Sequence, residues 1–189
     1  PNAPAEMRSG TPAGADAIHA SSNSSNSRRY SVTAQPIITF HDGHSIPQVG
    51  LGVWQTPQEI AAPTVRTAIA AGYRHIDTAS GYDNEEGVGE GIRSSGTDRK
   101  DIFVTTKLRN TDQGYDNALR AFEVSLKKLG TDYIDLYLIH WPSPHRGLYR
   151  ETWKAFVWLR EEGRVRSIGV SNFYPDHLDH IVGDTGVVP

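Results

Sequence analysis

The sequence predicts an α/β fold in which repeated βα units build a (β/α)8 TIM barrel of parallel strands. Strand-like apolar runs alternate with amphipathic helical runs from residue 49 onward, at a spacing of roughly thirty residues, the size of one βα unit. Polar, reactive side chains follow each strand after the first, whereas an open doubly wound sheet gathers such residues at one switch point. A third observation is negative. No dinucleotide-binding glycine fingerprint follows the first strand, and the only glycine-rich run, GVGEG at residues 87–91, has the wrong spacing and lies behind Glu85 and Glu86. That run is read as a helix packed closely on its neighbours.

Taken in order, residues 1–35 are rich in Ser, Asn, Ala, Gly and Pro and carry few bulky apolar groups. Such a stretch buries too little surface to offset its ordering entropy, so a disordered leader or tag-like segment is expected. Arg8, Arg28 and Arg29 among serines give it a faint organellar-targeting look, without a secretory-type hydrophobic stretch. Residues 36–40 and 44–46 flank Asp42-Gly43, which suits a type I′ hairpin turn. Residues 49–54 form the first barrel strand. Residues 57–71 have helical spacing, with Ile60, Val65 and Ile69 on one side.

The cycle then repeats: strand 73–76 and helix 85–94, strand 102–106 and helix 112–129, strand 134–139 and helix 148–162, strand 166–170, and a helix opening at Pro175. Five barrel strands fit into residues 36–189, against about 250 residues for a whole barrel, so a barrel truncated after its fifth strand is expected, with one strand edge uncovered.

Composition narrows the function classes. The chain has 189 residues and a net charge of −3, with no basic excess to suggest nucleic acid or an anionic membrane. No window approaches the roughly 18 apolar residues of a membrane-spanning helix. Cysteine is absent, which removes disulfides, thiolate nucleophiles and Cys-ligated metals and fits a cytoplasmic protein.

The chemistry lies at the strand ends. Asp77 follows the second strand and Tyr82 comes five residues later; Lys107, His140, and Ser171 with Asn172 follow the next three strands. Singly, each has a bland explanation: a turn cap, a packed aromatic, a snorkelling lysine, a hydrogen-bonded core histidine. Together they sit at the same end of successive parallel strands and converge on one mouth. A phenol is a weak acid that yields its proton more readily beside a cation. Lys107 supplies that cation, Asp77 fixes Lys107, and His140 donates a hydrogen bond to a carbonyl oxygen held beside Tyr82. With no good covalent nucleophile present, the electrons must come from a hydride-donating cofactor. Ser171 and Asn172 carry the groups needed to hold a carboxamide, and Trp54 and Trp141 offer apolar walls for the carbonyl compound.

Five motifs carry a resemblance that spans residues 36–189: VGLGVWQ (49–55), GYRHIDTASGYDNEEGVG (72–89), TTKL (105–108), LGTDYIDLYLIHWP (129–142) and GVSNF (169–173). The chain closely resembles the aldo-keto reductases, particularly the small bacterial-type, diketogluconate-reductase-like members. The resemblance implies an NADP(H)-dependent barrel that reduces aldehydes or ketones, with Asp77, Tyr82, Lys107 and His140 as its catalytic tetrad. It also implies Asp77, Ser171 and Asn172 at the cofactor, Trp54 and Trp141 at the substrate, and a hairpin plugging the barrel bottom.

Two departures stand out. Arg109 occupies a position where many relatives carry tryptophan, which would suit an anionic substrate unless it is a plain exposed arginine. The resemblance also puts the cofactor-phosphate contacts and a nicotinamide-stacking aromatic beyond the fifth strand, so weak or no turnover is expected of this polypeptide alone. Two alternatives stay open. One is a catalytically silent barrel fragment that covers its open edge with a partner or a second copy. The other is a metal-dependent hydrolase on the same barrel, built on His75, Asp77 and His140.

Overall fold

The computed structural model describes residues 35–189, so the leader expected over residues 1–35 lies, apart from Gln35, outside them. Strands β1 (Ile37–Thr39) and β2 (Ser45–Pro47) pair antiparallel, with Thr39 opposite Ser45. The connection is not the type I′ turn expected from Asp42-Gly43. Only Gly43 has positive φ, at 88°, while its amide donates to the Phe40 carbonyl at 3.1 Å and Phe40 N donates to the His44 carbonyl at 2.8 Å. This is a three-residue loop, a turn closed by a glycine in the left-handed region. The Asp42 carboxylate accepts the His44 amide at 2.9 Å and so stabilises the wider loop. Phe40 meets Phe103 edge-on, 6.4 Å between ring centroids, which sets the hairpin at the end of the sheet where strands begin.

Five parallel strands follow in simple order: β3 (Leu51–Gly52), β4 (His75–Asp77), β5 (Phe103–Leu108), β6 (Ile134–Ile139) and β7 (Val165–Val170). They alternate with α1 (Gln58–Ala70), α2 (Glu85–Arg93), α3 (Tyr115–Leu129), α4 (Tyr149–Glu161) and α5 (Pro175–Thr185). Each strand pairs with the next in sequence, the neighbour relation of a singly wound barrel wall. Helices pack on one face through Val65, Ile69, Phe122, Trp153 and Phe156, all at most 2% exposed, against Ile76, Val104, Tyr137 and Ile139 of the strands. Tyr137 is held between the rings of Phe122 and Phe156, at 5.3 and 4.4 Å.

The glycine-rich run forms α2, and its glycines allow close approach. A Cβ on Gly87 or Gly91 would lie 2.8 Å from the Gln58 carbonyl or 2.7 Å from the Ala62 carbonyl of α1. One on Gly89 would lie 2.2 Å from the carbonyl oxygen of Leu129, the last residue of α3. On α1 the expected apolar side is only partly right. Val65 and Ile69 are buried, but Ile60 is 52% exposed: at about 100° per residue it lies well round the helix from Val65, and Ala61, Ala62 and Ala68 fill the buried side instead. Among the described residues no helix is long and apolar enough to cross a membrane.

Candidate active site

Strand register explains why distant residues meet. Asp77 pairs with Thr105, and Lys107 with Leu138, so Lys107 lies two residues further along β5 and points to the same face as Asp77. His140 stands two residues past Leu138 and shares that face at the same end. The opposite face of β5 carries Thr106, whose hydroxyl donates to Glu85 of α2 at 2.7 Å. The alternation thus divides the sequence TTKL between the helix layer and the barrel mouth.

The mouth is organised by a buried ammonium. Lys107, 7% exposed, donates to Asp77 Oδ1 at 2.6 Å and to the Thr78 carbonyl at 2.9 Å. Its Nζ lies 5.1 Å from the centroid of the Tyr82 ring. The imidazole of His140 meets that ring edge-on at 5.7 Å between centroids, with 76° between planes. The four residues expected to converge are therefore together. Burial pushes the His140 imidazole below its ordinary value of 6.5; the Lys107 charge adds to the push and Asp77 opposes it. At neutral pH the ring is a neutral hydrogen-bond donor, not a cation.

Several supporting residues are absent from the sequence-derived set. Asn84 is fully buried: its amide donates to the carbonyls of Val53 and Thr56, each at 2.9 Å, and its Oδ1 accepts from the Thr78 hydroxyl at 2.7 Å. It ties the exits of β3 and β4 together, two residues after Tyr82. It is the N-cap residue of α2, yet its side chain makes no capping bond to that helix. Gln113, 1% exposed, donates to the Trp141 carbonyl at 2.7 Å and fixes the turn after β6.

At the end of β7, Asn172 adopts positive φ (63°), and its amide nitrogen donates to the His140 carbonyl and to Ser171 Oγ, each at 2.9 Å. Trp54 and Trp141 emerge at this same end, 68% and 49% exposed, as free apolar faces and not packed walls. Arg109 does not project into the mouth. Its guanidinium is turned onto Ser80 and Asp83, beside a cavity of about 400 Å³ that also touches Glu85, Arg120 and Lys128 on the outer side of β5. Burial raises the Glu85 carboxyl, an effect the Thr106 hydroxyl opposes.

The metal-centre alternative finds no ligand set. Asp77 is taken by Lys107, and His75 Nε2 is within 3.0 Å of the Thr105 hydroxyl. Among the described residues no three His, Cys, Asp or Glu side chains are grouped to hold an ion.

Comparison with known proteins adds to this geometry. A profile described as "Aldo/keto reductase family" matches residues 47–189. An aldo-keto reductase of Mycobacterium sp. (strain KMS) is 58% identical over 154 residues, 82% of this chain and 56% of that protein. Methylglyoxal reductase DkgA of Yersinia pestis is 48% identical over 158 residues, 84% of this chain and 56% of that protein. An aldo/keto reductase structure from Brucella melitensis superposes with a TM-score of 0.80 at 58% identity, over 82% of this chain and 60% of that one. A variant of Gox0644 solved in complex with NADPH gives 0.79 at 55% identity, over 83% and 56%. The chain spans about half the length of the curated relatives it matches.

Proposed function

The chain belongs to the aldo/keto reductase family, and on that premise we propose that its protein reduces aldehydes or ketones to alcohols with NADPH, Tyr82 delivering the proton. The observation that carries this is the Lys107 ammonium, held at 2.6 Å by the Asp77 carboxylate and set 5.1 Å from the centre of the Tyr82 ring. As the phenolic proton moves to the carbonyl oxygen, this charge offsets the negative charge left on the ring. His140, neutral and beside the ring, donates a hydrogen bond that orients the carbonyl.

Bound NADPH would supply the hydride. Ser171 and Asn172 suit its carboxamide. The Asn172 amide nitrogen is engaged with His140 and Ser171, which leaves its carbonyl oxygen to accept and the Ser171 hydroxyl to donate, the complement of a primary amide. Asp77 offers its second carboxylate oxygen at the same rim. Trp54 and Trp141 give apolar contact to a small-molecule carbonyl substrate, and the absence of cysteine supports a cytoplasmic setting.

The test is NADPH consumption by the protein at its full natural length with methylglyoxal. Loss of NADPH absorbance that requires both enzyme and aldehyde is expected, and a flat trace would overturn the reading.

A second reading applies to the 189-residue chain by itself. Among the described residues β3 and β7 lie at the two ends of the sheet, and a parallel sheet with an uncovered edge associates with whatever covers it. On this reading the isolated chain is silent and self-associates. A sizing measurement with a cofactor titration separates it from a working monomer.

A further inference from the structure

We infer that Arg109 is a positioning residue for Tyr82, a role that rests on the reductase reading above. Tyr82 is carried on a single helical turn, Ser80–Tyr82, followed by Asp83 in the left-handed region at φ 55°. A turn so short holds an aromatic ring poorly by itself; the Tyr82 amide makes only the local bond to the Ala79 carbonyl, at 2.9 Å.

What fixes it is β5. The Ser80 hydroxyl donates to the Lys107 carbonyl at 2.9 Å and accepts the Arg109 amide at 3.0 Å. The Arg109 guanidinium then donates through Nη2 to the Ser80 carbonyl at 2.8 Å and to Asp83 Oδ1 at 2.5 Å. Arg109 therefore grips the residues on both sides of Gly81-Tyr82. It does so from the strand that presents Lys107, two positions away. Phenol and ammonium are thus registered to each other through one strand end, not through separate loops.

The grip is directional and contributes little to overall stability. The Arg109 and Asp83 side chains are 40% and 72% exposed, and exposed ion pairs of this kind are weak. Its effect is to narrow the positions the Tyr82 ring samples over Lys107. A misplacement of about 1 Å at a reacting group costs up to roughly a hundredfold in rate.

The experiment compares Arg109→Ala, Arg109→Lys, Asp83→Ala and the Ala/Ala double variant by thermal midpoint, hydrogen exchange of the Tyr82 amide, and kcat and KM for methylglyoxal. For Arg109→Ala the expected result is an almost unchanged midpoint and Tyr82 exchange faster by roughly tenfold. Its kcat should fall by roughly ten- to a hundredfold with KM nearly constant. Arg109→Lys should recover part of kcat, and the double variant should be no worse than the worse single one. Unchanged Tyr82 exchange in Arg109→Ala overturns the inference, as does a loss confined to KM. If the unaltered protein consumes no NADPH, the reductase reading fails, and amide exchange alone decides whether the clamp exists.

Discussion

At the residue scale, the meeting of Asp77, Tyr82, Lys107 and His140 was legible because each lies at the end of a strand or shortly past it, and parallel strands deliver their ends to one place. Asn84 and Ser80 were not, and Arg109 stood out only for the tryptophan it replaces, not for its hold on Ser80 and Asp83. Their partners are main-chain carbonyls and a serine hydroxyl 27 to 31 residues away, and no spacing rule announces a bond to a backbone atom that far along the chain. Two histidines make a prediction that belongs here. Burial pushes both His75 and His140 below their ordinary value of 6.5, so above that pH each is neutral folded or unfolded and stability is complete. As pH falls through 6.5 the unfolded chain takes up protons first, and stability declines until the folded-state values are passed. Glu85, whose carboxyl is raised, works in the opposite sense, its contribution being present below 4.5 and lost as pH rises through its folded value. The clean readout is therefore a variant comparison. His140→Asn should flatten the fall of the urea midpoint below pH 6.5, and an unchanged slope would show that His140 protonates freely in the fold.

Among the elements, hydrophobic periodicity marked the helices and strands, whereas backbone conformation decided the hairpin turn. Helices and strands came out within a few residues of expectation, but the hairpin turn did not. Asp-Gly favours a two-residue connection only when both residues take positive φ; here Gly43 alone does, and the Asp42 carboxylate is engaged with the His44 amide. The glycines of α2 separate a packing requirement from a propensity. Gly89→Ala would drive a methyl group to 2.2 Å from the Leu129 carbonyl oxygen, a backbone atom that cannot swing aside. We expect destabilisation of about 1–3 kcal/mol, despite about 1 kcal/mol of improved helix propensity. Gly183→Ala in α5 meets nothing within 4 Å and should stabilise by about 0.5–1 kcal/mol. Chemical denaturation of the two variants checks both signs; a neutral Gly89→Ala would show that α2 is free to move away from α3.

For the whole molecule, the site is a property of the sheet and not of any segment. Asp77 and Lys107 lie 30 residues apart, and the ring of Tyr82 meets that of His140 across two strand crossings. Cofactor binding should thus be linked to global stability. NADPH at about a hundred times its Kd raises the unfolding free energy by about 2.7 kcal/mol if the fold binds it. Thermal denaturation of the 189-residue chain with and without NADPH is informative either way. An upward shift of the midpoint supports a competent cofactor face, whereas no shift together with a size above that of a monomer supports the silent, self-associating reading.

In the proposed reaction a buried ammonium, braced by Asp77, lets the Tyr82 phenol give its proton to a carbonyl oxygen. Its most direct test is the rate of NADPH consumption with methylglyoxal by the full-length protein and by Tyr82→Phe, which removes one hydroxyl and leaves the ring in place. A loss of roughly a hundredfold or more in kcat, with the thermal midpoint preserved, is the predicted result. A Tyr82→Phe protein that turns over as fast as the unaltered one would contradict it.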